Sequence, residues 1–492
     1  MSAMPAKILL TSENKGVHPR QKSGCQTQHA NSKTDGSFRR IALLFASAFI
    51  LRLLLLPLFW NQPLNIVDEQ HYQKLSQSIL ENREFALFPH EPTAIRPPAY
   101  PAFLASVYAL AGEGNANMVR VAQIMLNLLT GGILFLLFCH VSSKETAFLG
   151  TAIFLFYPSL IFFDYLILSE TVFIFLFSIT ILALVYGVDR PSALILACAG
   201  SAIALASLTR SITYSLAIPL AALLVPLQPG RRARAIGRVL IFLLFFSLGL
   251  TPWAVRNYRC FNAFVPVDTM GGLNLSMGNY EFTPLHRAWA AVSVKGHESW
   301  GDIYQNEIAG LNEAQKQATA IRLARGYMLE HPFLTVKRSI IKAANFWGLE
   351  RTIIAGMQQQ FFPKLDSIYF KILFPPIILL AYIGVTLLGF TGLACKLFLE
   401  RNNLDYIAAF FILGFLGLHS IVFGHSRYHL PLVPLLCFYS AWSICNLKNI
   451  WKTRQKLIIS LSSAIAIIFS VAWIYDIFVG SIENIHKFIL NL

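Results

Sequence analysis

Charge is what this sequence has least of: Asp, Glu, Lys and Arg make up 13% of its 492 residues, about half the roughly 25% of an ordinary soluble chain. That scarcity, with 55% hydrophobic residues and a mean hydropathy of +0.55, excludes an ordinary soluble enzyme and places the chain in a lipid bilayer. Acidic residues are the rarer sign, 25 against 40 basic ones, for a formal net charge of +15. A nucleic-acid partner would need that excess gathered on one domain. Here Lys and Arg fall instead in short clusters between apolar runs, the positive-inside pattern of cytoplasmic loops. The seven cysteines, at 25, 139, 198, 260, 395, 437 and 445, include no CxxC and no paired spacing, so neither a disulfide framework nor a zinc site is indicated. HExxH-like spacing, internal repeats and low-complexity tracts are absent as well.

Long apolar runs are what the sequence does have. Ile41–Trp60 is the first, long enough for the roughly 20 residues that a hydrocarbon core requires. The forty residues before it are polar and carry Lys7, Lys15, Arg20, Lys22, Lys33, Arg39 and Arg40, which predicts a disordered cytoplasmic tail over 1–40. A cleavable signal is not expected, because the apolar run is too long and lacks a small-x-small exit before Pro57. Further spans follow at Val119–His140, Ala147–Phe163, Thr171–Val188, Ser192–Leu208, Ile212–Leu227 and Val239–Val255. After a polar interval come Ile368–Leu393, Tyr406–Phe423, Tyr428–Ile444 and Leu457–Val479.

The reading is an all-α polytopic membrane protein with about eleven spans, its N-terminus inside and its C-terminus outside. Residues 41–445 form the core, with outer loops 61–116 and 256–366, and 446–492 supply a cytoplasmic loop and the last span. Ala99–Ala111 is apolar but only about half a bilayer long, and reads as an interfacial or re-entrant helix. Making it a full span would turn Arg231–Arg238 and Lys448–Lys456 outward, against the positive-inside bias. Asn312–Phe346 reads as two amphipathic helices broken at His331-Pro332. Val336, Ile340 and Ile341 lie on one face, with Lys316, Arg322, Arg325, Lys337, Arg338 and Lys342 on the other. Such a basic face suits an anionic lipid surface, or simply water.

Three acidic positions border apolar segments on the outer side: Asp68-Glu69, Asp164 and Glu170. A carboxylate at a helix start is often only a cap, so a functional reading needs convergence, and span parity puts all three at one membrane face. Arg96, Arg210, Arg256 and Arg427 fall at the same face. Interfacial arginines can snorkel, yet several at outer span ends run against the positive-inside bias, and their fork geometry suits a phosphate.

These residues also carry a resemblance. Asp68-Glu69-x-x-Tyr72 follows the first span, Arg96-Pro97-Pro98-Ala99-Tyr100-Pro101 precedes the short helix, and Leu168-Ser169-Glu170 tops a span. Thr251 to Tyr258, Gly271-Gly272-Leu273-Asn274 with Gly278-Asn279, and Arg427-Tyr428-His429-Leu430-Pro431 follow in order. The set resembles bacterial GT-C glycosyltransferases, nearest the family 39-like proteins that include protein O-mannosyltransferases and aminoarabinose lipid A transferases.

The resemblance implies inverting transfer of a sugar from a polyprenyl-phosphate donor to a lipid, glycan or protein acceptor at the periplasmic face of the inner membrane. It implies Asp68 as general base or acceptor-orienting carboxylate, with Glu69 beside it, and Glu170 positioning the acceptor or helping to hold a divalent cation such as Mg or Mn. It places Arg96 and Arg427 on the donor phosphate and implies substrate contacts for Tyr72, Arg256, Asn279 and Tyr428. The chain departs from the pattern at Ala94, where some relatives carry a metal-directed Glu, so the metal ligands stay unassigned. A transporter or flippase of lipid-linked sugars is the alternative; it would be expected to place charges at mid-span and to show two related halves.

Overall fold

The computed structural model describes residues 26–479, apart from 287, 289–290, 292–299, 302–306 and 309. Two units are distinguished, Met1–Ala46 and Ser47–Leu492, and the described residues of the first belong to helix α1 (Gln26–Phe59). The helix thus starts well before the apolar run, inside the region expected to be a disordered tail, of which residues 1–25 lie outside the described residues. Helix follows helix thereafter, in keeping with a bilayer that satisfies no exposed backbone groups. The chain runs α2 (Val67–Asn82), α3 (Ala99–Ala111), α4 (Ala116–Val141), α5 (Lys144–Leu155), α6 (Pro158–Phe163), α7 (Glu170–Asp189), α8 (Ala193–Ser207) and α9 (Ile212–Leu227). It continues with α10 (Arg232–Phe261), α11 (Met270–Gly278), α12 (Glu313–Glu330), α13 (Pro332–Phe346), α14 (Thr352–Gln358), α15 (Ile368–Leu399), α16 (Asn403–Ile421) and α17 (Val433–Phe478). Two short strands, Ala86–Phe88 and Glu91–Pro92, pair antiparallel between α2 and α3.

The fold is that of an all-α polytopic membrane protein. Among the described residues, 8 helical segments are long and apolar enough to cross a bilayer. They coincide with the first, second, fourth and seventh to eleventh expected spans; the last two both fall in α17 and its preceding 3₁₀ turn, divided where Arg454 leaves helical geometry (φ −136°, ψ 34°). The other three expected spans are apolar but shorter. Ala193–Ser207 and Ile212–Leu227 are single helices of 10–17 residues, and Ala147–Phe163 is split into α5 and α6 by Phe156 and Tyr157, with Pro158 opening α6. Proline at a first helical position is tolerated, but it cannot continue the preceding helix.

The break between α12 and α13 falls at His331, as the sequence predicts, but the faces of α13 are reversed. Arg338 and Lys342 are buried, whereas Phe333, Val336 and Ile340 are exposed. The Arg338 guanidinium donates to the carbonyls of Tyr280 and Thr283 at 2.9 and 3.0 Å. Lys342 Nζ donates to Asn279 Oδ1 at 2.9 Å and to Ile421 O at 3.0 Å, and burial, with Arg338 adding to it, pushes its ammonium down to about 7. The helix therefore turns apolar residues outward and spends its inward charge on backbone carbonyls. Two glycines permit this packing: a Cβ on Gly278 would run into Val422 O, and one on Gly424 into Lys342 O. The segment leading to Arg427 is thereby held hard against α13.

Candidate functional site

Five side chains from distant parts of the chain converge. Asp68 stands in the first turn of α2. Arg96 lies in the loop after the strand pair, directly before Pro97 and Pro98, and Glu170 is the first residue of α7. Arg210 occupies the turn between α8 and α9, and Arg427 sits in a 3₁₀ turn, Ser426–Leu432, that precedes α17. Carboxylates at helix N-termini are favoured by the helix dipole, which explains where the two acids stand. The arginines come from loops and turns, where the side chain is free to reach inward.

The bonding is a chain of guanidiniums and carboxylates. Arg96 Nη2 donates to Asp68 Oδ1 at 2.6 Å, and Arg427 Nη1 donates to Asp68 Oδ2 at 3.1 Å. The Nε of the same Arg427 donates to Glu170 Oε1, which also takes Arg210 Nη1 at 2.7 Å. Arg427 therefore bridges the two acids, each of which has a second arginine of its own. Tyrosine rings back the outer pair, Tyr72 lying 5.8 Å from the Arg96 guanidinium and Tyr428 5.4 Å from that of Arg210. Tyr72 Oη also reaches Ser169 Oγ at 3.4 Å. Three guanidiniums against two carboxylates leave one net positive charge. Two buried polar atoms in this cluster, Arg96 Nε and Glu170 Oε2, have no partner.

Electrostatics at Asp68 follow from that bonding. Burial pushes its carboxyl up, but the Arg96 and Arg427 guanidiniums outweigh the burial and hold it at about 2. His71, 3.4 Å from Arg96 Nη2, is pushed down by burial and then by that cation. Burial raises the Tyr72 phenol.

The remaining expected residues are placed elsewhere. Glu69 is buried, and its two oxygens accept the amides of Ile66 at 3.2 Å and Ile167 at 3.0 Å; burial raises its carboxyl in spite of those bonds. Arg256 spends its fork on the carbonyls of Thr93 and Phe85, at 2.7 and 2.9 Å, and its guanidinium centre lies 4.8 Å from the Trp253 ring centroid. Asn279 serves Lys342 and the Ile421 carbonyl. Asp164 is sealed by Arg52 and Asn127, each at 2.8 Å. Of the four outer acids, the structure thus brings Asp68 and Glu170 together.

Sequence reasoning passed over other buried groups. Arg52 stands inside the first span and is fully buried. Glu350 accepts Tyr157 Oη at 2.9 Å and a bond from Ser159, and pairs with His429 Nε2 at 3.0 Å. The signal was available for Arg52, an arginine within an apolar run. It was not available for Glu350, whose partners lie 193, 191 and 79 residues away.

Among the described residues, no group of three or more His, Cys, Asp or Glu side chains is gathered to hold a metal ion. The two carboxylates of the cluster are already compensated by three arginines, a donor set that does not fit a divalent cation.

No protein-family model and no curated protein sequence matches the chain. Among solved structures it is similar to the archaeal oligosaccharyltransferase AglB from Archaeoglobus fulgidus in complex with an inhibitory peptide and a dolichol-phosphate. That likeness has a TM-score of 0.48 and 14% identity, covering 88% of this chain and 55% of that one. The oligosaccharyltransferase of the same organism in complex with Zn and sulfate gives 0.46 and 12%, over 87% and 53%. ArnT from Cupriavidus metallidurans bound to undecaprenyl phosphate gives 0.39 and 16%, over 83% and 79%. The chain spans about half the length of the oligosaccharyltransferase chains it matches. What the fold and the site define is a class, a helical membrane protein with an arginine–carboxylate centre.

Proposed function

We propose that the protein is a membrane-embedded glycosyltransferase that moves a sugar from a polyprenyl-phosphate donor to a hydroxyl of a lipid, glycan or protein acceptor, at the extracytoplasmic face of the membrane. The observation that carries this reading is the double use of Asp68: its carboxylate is held by Arg96 and Arg427, the two arginines best placed to take a phosphate instead.

Guanidinium forks bind phosphate oxygens in the same geometry as carboxylate oxygens. When a donor phosphate claims Arg96 and Arg427, Asp68 loses the charges that keep it near 2, and burial then raises its basicity. The base is weak while the site is empty and strengthens as the donor seats. The acceptor hydroxyl oxygen then attacks the anomeric carbon, Asp68 takes its proton, and the bond from that carbon to the phosphate oxygen breaks. The electron pair leaves with the polyprenyl phosphate, whose charge Arg427 and Arg96 stabilise. Attack opposite the leaving group inverts the anomeric centre. Glu170 keeps Arg210 and Arg427 in place throughout, and its free Oε2 is the position for an acceptor hydroxyl.

Removing one charge-assisted contact costs about 1.5–3 kcal/mol, so Arg96→Ala should raise the donor KM roughly tenfold or more with a smaller change in the acceptor KM. Steady-state transfer of labelled sugar, titrated separately in donor and acceptor, reads both. An unchanged donor titration with loss confined to the acceptor would contradict the phosphate assignment.

A further inference from the structure

Asp68 and Glu170 must stand one guanidinium apart, because Arg427 bonds both. They arrive on unrelated pieces of chain: 62–68, which leads into α2, and 164–170, which leads into α7. The second piece is wholly buried from Asp164 to Glu170 yet is neither helix nor strand until Glu170. The amides of Asp164 and Tyr165 bond back to the carbonyls of Ile161 and Phe162, and Ser169 O accepts Phe173 N; other groups of the segment take side-chain partners, since an unpaired buried amide or carbonyl costs as much as a lost hydrogen bond.

Two oppositely charged residues supply these partners, and each reaches both pieces of chain. Arg120, on α4 and 1% exposed, donates through Nη2 to Gln62 O at 3.1 Å and through Nε to Tyr165 O at 2.9 Å. Glu69, 4% exposed, accepts Ile66 N at 3.2 Å and Ile167 N at 3.0 Å. One residue thus ties carbonyl to carbonyl and the other amide to amide, across the same gap. Gln123 adds bonds to Asp164 O and Leu166 O at 3.0 and 2.7 Å. A buried charge is tolerated when an opposite charge and hydrogen bonds accompany it. Arg120 and Glu69 are opposite in charge; both Glu69 oxygens and two of the Arg120 nitrogens are spent on backbone, and Arg120 Nη1 donates to Asn117 Oδ1 at 2.9 Å.

We propose that Glu69 and Arg120 are positioning residues that set the separation of Asp68 and Glu170, and with it the span that the Arg427 fork bridges. Glu69 then acts through its neighbour and moves no proton itself. The assignment of a catalytic consequence rests on the transferase reading; the clamp itself rests on the hydrogen bonds alone.

The test uses the full-length protein with Glu69→Gln, which keeps shape but offers one acceptor for two amides, and with Arg120→Lys, which keeps charge but loses the fork. Misplacing reacting groups by about an ångström can cost up to 10²-fold in rate. The expected result is a kcat at least about tenfold lower per folded molecule, with the donor KM kept within about twofold because the arginines that take the phosphate remain. Amide exchange should be faster in peptides covering 62–68 and 164–170. Unchanged exchange in both variants would overturn the clamp. Faster exchange with an unchanged kcat and KM per folded molecule would overturn its positioning role and leave a stability role only. A wild-type protein that transfers no sugar would sink the transferase reading, and the clamp would then be decided by exchange alone.

Discussion

At the scale of single residues, the account turns on one carboxylate held by two cations. Asp68→Asn removes a negative charge from a cluster that already carries one positive in excess, so this variant should bind polyprenyl phosphate at least as tightly as the parent. Equilibrium binding of undecaprenyl phosphate measures this, and weaker binding would show that Asp68 organises the site rather than guards it. The pH behaviour has a definite sign. The carboxyl of folded Asp68, at about 2, lies below its ordinary value of 3.8, so the pairing stabilises the folded protein above that ordinary value and the contribution is lost as pH falls through about 2. The charge on Asp68 in the empty site is accordingly constant at neutral pH. Much of the cluster was legible in the sequence, because charge beside an apolar run is costly and conspicuous; Asp68, Arg96, Glu170, Arg210 and Arg427 all stood out on that ground. The division of labour within Asp68-Glu69 was not legible. Successive residues of a helix point about 100° apart, so one carboxylate meets the arginines while the other enters the body of the protein, and nothing in the adjacency says which. Arg256 and Asn279 share the parity of the cluster but spend their bonds elsewhere, which only tertiary contacts reveal.

At the scale of elements, Arg96 depends on a loop held from below. Glu313, in the first turn of α12, accepts Thr93 Oγ1 at 2.5 Å, Ala94 N at 2.7 Å and Thr269 Oγ1 at 3.3 Å. Arg256 grips the same stretch through Thr93 O. Deleting a carboxylate with two good charged bonds costs about 1.5–3 kcal/mol for each. Glu313→Ala should therefore lower the Tm and raise the donor KM through Arg96, with little change in kcat at saturating donor. A lower Tm with an unchanged donor KM would show that this loop does not govern Arg96. Periodicity identified α12 and α13 and their break at His331, since apolar spacing and an X-Pro step are local signals. The same periodicity could not orient α13. Amphipathic spacing defines two faces and assumes that the apolar one turns inward; here carbonyls of 280–283 and Ile421 draw Arg338 and Lys342 in.

At the scale of the whole molecule, the order of the apolar helices was readable because a bilayer demands long apolar runs; among the described residues 8 of the eleven expected segments are long and apolar enough to cross one, and the other three are shorter helices. The pairing of α2 with the 164–170 segment, about 100 residues on, was not readable, because it depends on buried polar contacts that carry no period. The eleven-span reading of the sequence predicts that Arg234 and Lys452 face the cytoplasm. Single cysteines at those positions, in a chain without its seven native ones, should resist a membrane-impermeant maleimide in intact cells and react once the membrane is opened. Labelling from outside would overturn the topology and with it the side on which the site opens. The most direct test of the central claim is transfer itself: purified protein in nanodiscs, a radiolabelled polyprenyl-phosphate sugar, and product released from the lipid carrier to an acceptor. The account predicts inverting transfer by the parent and none by Asp68→Asn at equal protein level and undiminished donor binding; transfer retained in that variant would contradict it.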